Sequence, residues 1–266
     1  MRVQLDAINI EFTNICNLSC PMCWSQHPRL YPPRKKGFMS KDLYMKILHE
    51  LQTDFDPSKV FLGLNYVGES TLHPKFDEYL RELEGIPFGR KQIITNCTLL
   101  SDSRRKLLYD LDIDIQISIH VSNFLDQVKE TIKKMSLEGH PVDIVVVKEE
   151  FKDKELSNII NDTGPYFRQL IVSAYVTEDL HYLQHSWKDK LHISDRRDPC
   201  RAPFTYLAVL WDGNVLPCCR FGNSGDFTLG NINNSTVKEV FYGESFEKLR
   251  RGDYTSTPCE HCTVAD

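Results

Sequence analysis

Two spacings of apolar residues alternate along the chain. Runs that are continuous or alternating in apolar character recur at 7–12, 59–66, 91–95, 113–119, 142–147 and 169–176. Their length and their Val, Ile and Phe content predict β-strands. Between them lie charged stretches at 40–51, 76–83, 102–111 and 125–138 whose apolar residues return every three or four positions, which predicts helices with one buried face. Ser40, ahead of Lys41, is suited to cap the first of these helices. Alternating strands and helices predict an α/β fold with a parallel sheet built from βα units.

The pattern changes after residue 180. The polar, aperiodic stretch 181–199 reads as a connector and puts a boundary near Ser194, between a unit at 1–193 and a smaller one at 194–266. Beyond it, 206–210 alternates, Trp211, Asp212, Gly213 and Asn214 turn, and Val215 and Leu216 resume. Asp-Gly between such runs predicts a hairpin. Residues 235–250 predict one helix with Val237, Val240, Phe241 and Leu249 buried.

Composition narrows the chemistry. A chain of 266 residues can bury a sizeable core without disulfides. With 37 acidic against 32 basic residues it lacks the positive field that nucleic-acid binding needs. The N-terminus, MRVQLDAINIEF, has no continuous apolar core, and no run approaches membrane-spanning length, so a cytoplasmic protein without a membrane partner is expected. Nine cysteines in a reducing compartment point to metal or redox chemistry.

The cysteines form two groups. Cys16, Cys20 and Cys23 lie in CNLSCPMCW, on a loop after the first predicted strand, where C-x3-C-x2-C spacing lets thiolates gather on one polynuclear centre. A zinc site completed by His27 is the alternative. Iron–sulfur clusters normally take four cysteines, so three leave an iron open for chemistry. This spacing resembles the signature of the radical S-adenosylmethionine (SAM) enzymes. Asn65-Tyr66-Val67-Gly68-Glu69-Ser70 resembles that family's Gly-Gly-Glu motif, with Val67 replacing the first glycine; a simple turn is the other reading. The resemblance implies a partial (β/α)6 TIM-like barrel, a [4Fe–4S] cluster on Cys16, Cys20 and Cys23, and Gly68 and Glu69 receiving the amino group of SAM. Thr95-Asn96-Cys97 is similar to the family's Thr-Asn-Gly, and Ser118 and His120 occupy the place of its ribose-contacting strand, or form a polar pair at the barrel mouth. Residues 145–147 either approach adenine or belong to the core. Met22 stands where the family commonly has an aromatic adenine contact, for which Trp24 is a possible replacement.

Cys200, Cys218, Cys259 and Cys262 form the second group, and by themselves fit a zinc ribbon. Downstream of a radical SAM core, C…G-x4-C…C-x2-C resembles the cysteine-rich SPASM, or twitch, domain, which implies an auxiliary [4Fe–4S] cluster and a β-hairpin plus helix. Four thiolates would saturate that cluster, which suits it to carrying an electron during substrate oxidation. Size and cysteine plan look most like those of the inosamine dehydrogenase of butirosin biosynthesis. The function this implies is hydrogen abstraction from a sugar, aminocyclitol or related hydroxylated metabolite, ending in dehydrogenation or epimerisation. No further domain precedes the first cysteines, which favours a small-molecule substrate over a peptide, although a maturase acting on a ribosomally made peptide is the alternative. A non-enzymatic zinc protein is the third. A flavodoxin or ferredoxin would supply electrons. Cys97 is a buried small residue or a hydrogen donor for epimerisation, and Cys219 is a packed residue or spare ligand. Asp179, His181, His185, Arg201 and Arg220, near the junction, are surface groups or substrate contacts.

Overall fold

Seven parallel strands, among the described residues, form one sheet: β1 (Ala7–Ile10), β2 (Phe61–Gly63), β3 (Arg90–Thr95), β4 (Asp114–Ile119), β5 (Val142–Val147), β6 (Phe167–Ser173) and β7 (Tyr206–Val209). β8 (Val215–Leu216) closes one edge antiparallel to β7. The spatial order is β6-β5-β4-β3-β2-β1-β7-β8, a partial TIM-like barrel. This computed structural model describes residues 1–20, 23, 34–119, 124–140, 142–147, 167–173, 200–219 and 227–261. Crossover helices α1 (Lys41–Asp54), α2 (Phe76–Arg81), α3 (Asp102–Asp110) and α4 (Leu125–Leu137) connect successive strands. Ser40 caps α1 by accepting from the Leu43 amide at 3.2 Å.

Strand alternation divides the sheet into two chemically different faces. Ile8, Ile10, Ile93, Ile115, Ile117 and Ile119 join the core that includes Val128, Ile132 and Met135 of α4. Asn9, Gln92, Gln116 and Ser118 are therefore on the other, concave face, only partly buried. Register aligns Asn9 with Gly63, Gly63 with Gln92, Gln92 with Asp114, and Gln116 with Asp143, so polar residues run across this interior in rows. At the foot of the strands Arg90 offsets the acids, 2.6 Å from Asp114 and 3.9 Å from Asp143. Behind β1, the rings of Tyr44 and Tyr79 stack at 4.7 Å and Phe12 packs edge-on against both.

The C-terminal hairpin is continuous with this sheet: β7 lies beside β1, with Ala7 opposite Tyr206 and Ile10 opposite Val209. Two short helices follow the hairpin in place of the single helix predicted at 235–250. They are α6 (Val237–Phe241) and α7 (Glu244–Arg250), with α5 (Ala202–Thr205) preceding β7. Thr236 and Glu239 cap α6 reciprocally. Gly243 ends it in extended conformation, where a Cβ would meet the Glu239 carbonyl oxygen at 2.6 Å. Val237, Val240, Phe241 and Leu249 are all buried. β2 is shorter than the predicted 59–66 at both ends: Pro57–Lys59 forms a 3-10 turn capped by Asp56, and residues 64–66 already belong to the loop that leads to Gly68. The boundary near 194 lies outside the described residues.

Candidate active site

Loops leaving the C-terminal ends of β1, β2 and β3 converge, where parallel strands place ligand sites. The loop after β1 is clasped at its base. Thr13 Oγ1 donates to the Gly37 carbonyl at 2.7 Å, Asn14 Nδ2 to the Lys35 carbonyl at 3.0 Å, and the Gly37 amide returns to Asn14 Oδ1 at 3.0 Å. Within the clasp, the Leu18 amide donates to Cys16 Sγ at 3.4 Å and the Cys23 amide to the Cys20 carbonyl at 2.9 Å. Cys20 is buried and Cys16 and Cys23 are half-buried.

The loop after β2 lies directly against this one. Gly68 has φ +83°, and a Cβ there would come 2.6 Å from the Thr13 carbonyl oxygen and 2.7 Å from Asn14 C and the Ile15 carbonyl oxygen. That approach lets the Glu69 amide donate to the Ile15 carbonyl at 2.8 Å. The Glu69 side chain is 2% exposed as a residue and is gripped by four donors. Oε1 accepts from the Thr71 amide (3.2 Å), Thr71 Oγ1 (2.6 Å) and Thr95 Oγ1 (2.9 Å), and Oε2 from the Asn96 amide (2.8 Å). Oε2 thus keeps acceptor capacity for a cationic ligand group. Asn96 Nδ2 donates to Asn17 Oδ1 at 2.9 Å and reaches Cys16 Sγ at 3.9 Å, tying the β3 loop to the cysteine loop.

Cys97 lies elsewhere. It is 1% exposed, belongs to the core, and bonds Thr131 of α4; burial pushes its thiol up to about 12. The geometry gives no support to the expectation that it returns hydrogen to a substrate, because the thiol is packed against the helix layer. Its φ of 67° is the left-handed conformation that favours glycine, the residue the resembled family has here, so Cys97 is held in a backbone conformation that costs a side-chain-bearing residue energy. Ser118 is on the interior face of β4. Met22, Trp24, His27, His120, Cys262, Asp179, His181, His185 and Arg220 lie outside the described residues.

Of the second group, Cys200 and Cys218 are half-buried, Cys259 is buried, and Cys219 is exposed. Tyr66, from the Gly68–Glu69 loop, donates to the Cys218 carbonyl at 2.8 Å. The hydroxyl of half-buried Tyr206 is itself buried and has no hydrogen-bond partner, although it lies within electrostatic range of Cys219 and Cys218. A group rich in sulfur acceptors would satisfy that orphan donor. At the first group, burial raises the Cys16 thiol, and the nearby acids Glu69 and Cys23 add to this. A cationic centre would reverse the effect. Among the described residues no three His, Cys, Asp or Glu side chains converge on a single-ion site. Cys16, Cys20 and Cys23, thiols on one loop, are of the donor type that iron–sulfur clusters take, as are Cys200, Cys218 and Cys259 of the second group.

One buried pair was missed in the sequence. Glu11, fully buried, accepts from Arg34 at 2.7 and 2.9 Å, from the Val67 amide at 3.4 Å and from the Trp211 amide at 3.2 Å. Burial raises its carboxyl, and Arg34 offsets part of the shift. The available signal was one acid among the apolar residues of 7–12.

Comparison with known proteins is consistent with these features. The iron–sulfur cluster-binding SPASM family matches residues 200–263. A cofactor-modifying protein for tungsten-containing aldehyde ferredoxin oxidoreductase from Pyrococcus furiosus is 24% identical over 318 positions, covering 97% of this chain and 87% of the relative. The sporulation killing factor maturation protein SkfB of Bacillus subtilis is 23% identical, over 87% of this chain and 63% of its own. The crystal structure of BtrN in complex with AdoMet and 2-DOIA shares the fold at TM-score 0.67 and 20% identity, covering 100% of this chain and 95% of that one. The radical SAM superfamily pattern spans residues 10–162, more than half of the chain, and the protein belongs to that superfamily.

Proposed function

We propose that this radical SAM enzyme abstracts hydrogen from a C–H bond of a small hydroxylated metabolite, a sugar or aminocyclitol, and dehydrogenates or epimerises it. The observation that carries this reading is the interior face of the sheet, where Gln92, Gln116 and Ser118 offer amide and hydroxyl groups beneath the converged loops, beside Asn9, whose Nδ2 donates to the Asn65 carbonyl at 2.7 Å. Such groups match the hydroxyls of a polyol, and an apolar substrate would leave them unpaired. The cofactors are SAM and [4Fe–4S] clusters. In this reading Cys16, Cys20 and Cys23 hold the SAM-binding cluster, and Cys200, Cys218, Cys259 and Cys262 hold an auxiliary one. When bound, the N-terminal cluster and SAM would together supply the radical chemistry that removes a hydrogen atom from the substrate.

The chain's own residues orient these groups. Glu69 Oε2 would receive the SAM ammonium, while the bonds from Thr71, Thr95 and Asn96 fix the carboxylate. Gly68 brings that loop against the cysteine loop, Asn96 holds the two together, and Ser118, His120 and Met22 would be the residues that contact ribose and adenine. Dehydrogenation of a secondary alcohol after hydrogen abstraction requires loss of one further proton and one electron, for which an auxiliary cluster on Cys200, Cys218, Cys259 and Cys262 would be the acceptor. The units are 1–193 and 194–266, a flavodoxin or ferredoxin delivers reducing equivalents, and the site of action is the cytoplasm; no helix among the described residues is long and apolar enough to cross a membrane.

Peptide maturation is the second reading, favoured by the likeness to SkfB. One experiment separates the outcomes. The reduced enzyme is incubated with SAM and candidate cyclitols or sugars in deuterated water, without any peptide. Loss of two hydrogens marks dehydrogenation, and gain of one deuterium without oxidation marks epimerisation. Turnover only with a precursor peptide would overturn the small-molecule reading.

A further inference from the structure

The SAM-side loop and the second cysteine group are joined by two tethers. Tyr66, half-buried, donates its hydroxyl to the Cys218 carbonyl at 2.8 Å. Its neighbour Val67 donates to Glu11, whose other oxygen accepts from Trp211, in the turn that leads to Cys218. Both partners of the first tether adjoin functional positions: Tyr66 precedes Gly68 by two residues, and Cys218 is a ligand under the reading above. An apolar patch of Ala208, Leu210 and Leu216, with Tyr66, Tyr206 and Phe227 packed on it, surrounds the contact. In such a low-dielectric setting a single oriented dipole carries far.

We infer that Tyr66 is a positioning residue that couples SAM binding to the reduction potential of the auxiliary centre. The inference rests on the assignment of Cys218 as a ligand of that centre. The Tyr66 hydroxyl acts in two ways. It fixes the orientation of the Cys218 peptide, and its donor proton offsets the negative end of the carbonyl beside a centre that becomes more negative on reduction. Hydrogen bonding around a cluster is one of the levers that set its potential. Because Tyr66 lies on the loop that carries Gly68 and Glu69, occupation of the SAM site changes the constraint on Cys218. Coupling of this kind is reciprocal, so reduction of the auxiliary centre changes SAM affinity by the same factor.

The test is an EPR-monitored redox titration of the reconstituted enzyme, with and without SAM, on wild type and Tyr66→Phe. Phe keeps the ring and removes only the donor. The expected result is an auxiliary potential lowered by about 59 mV, a tenfold change in a one-electron equilibrium, and loss of its response to SAM while the N-terminal cluster still responds. Selective loss of the auxiliary irons from Tyr66→Phe also supports positioning. A titration identical to wild type overturns the inference. If Tyr66→Phe does not fold, fluorotyrosine at position 66 preserves shape with a stronger donor, and the potential must then rise; an unchanged value overturns the inference equally. Iron content distinguishes the underlying assignment. Wild type with about four irons in place of about eight removes the auxiliary centre itself, whereas about eight irons with no dependence on Tyr66 removes only the coupling.

Discussion

Replacing Gly68 by Ala should disrupt the junction on which SAM binding depends. At φ +83° an L-residue costs about 1–2 kcal/mol. The new methyl would sit 2.6–2.7 Å from three backbone atoms of residues 13–15, well inside ordinary contact at 3.4 Å, so the two loops must part by roughly 0.7 Å. Backbone cannot swing aside as a flexible side chain does, and overpacking of this kind costs about 1–3 kcal/mol. The Glu69–Ile15 bond at 2.8 Å stretches as the loops separate. The expected total is a loss of about 2–5 kcal/mol in anaerobic urea denaturation, with SAM affinity reduced at least tenfold in calorimetry. Gly139→Ala is the control, since Gly139 also has φ +83° but nothing within 4 Å of a Cβ. It carries the conformational cost alone. If Gly68→Ala costs no more than Gly139→Ala and binds SAM normally, close approach is not what requires glycine at this position.

Glu69→Gln should turn an amide donor toward groups that already donate, and should weaken SAM binding roughly 10- to 100-fold while the iron content of the N-terminal site is kept; normal affinity would exclude Glu69 as the ammonium receptor. Glu11 predicts a pH effect. Its raised carboxyl holds a proton in the folded state that the unfolded chain has released above pH 4.5, so its contribution to stability falls as pH rises through that window. The difference in unfolding free energy between wild type and Glu11→Gln should slope accordingly above pH 4.5, and a flat difference curve would contradict the shift. Cys97→Ala should cost on the order of 1 kcal/mol from the core and leave product formation intact. Continued deoxyadenosine release with loss of product would restore the thiol as a hydrogen donor.

The βα alternation and both cysteine groups were legible because each rests on local information: period, turn chemistry or spacing. Three features were not. At the break, Gly243 lies so close to the Glu239 carbonyl that a Cβ has no room, and no change in apolar spacing marks it. The placement of β7 beside β1 is a pairing across about two hundred residues, and its apolar run could equally have formed an isolated hairpin. Cys97 could be placed at a strand end but not on a face, because the left-handed backbone there turns the side chain away from simple alternation. Glu11 left a trace as an acid inside an apolar run, but its partner Arg34 is set by the return of the cysteine loop.

Parallel pairing of β7 with β1 has a mechanical consequence for the two cysteine groups. Parallel neighbours deliver their following loops to the same rim, so the cysteine loop after β1 and the turn after β7 must emerge side by side. An antiparallel β7 would have sent its turn to the foot of the barrel, where Arg90, Asp114 and Asp143 gather. At the shared rim one residue meets both of these segments and the Glu69 loop as well. Glu11 takes Arg34 from the returning cysteine loop, Val67 from the Glu69 loop and Trp211 from the hairpin. Removing the carboxylate would leave the Arg34 guanidinium buried with its charge uncompensated, at a cost of about 3–5 kcal/mol. Glu11→Ala should therefore loosen the hairpin and the cysteine loop together in hydrogen exchange. Exchange confined to one of them would mean that the two are held independently.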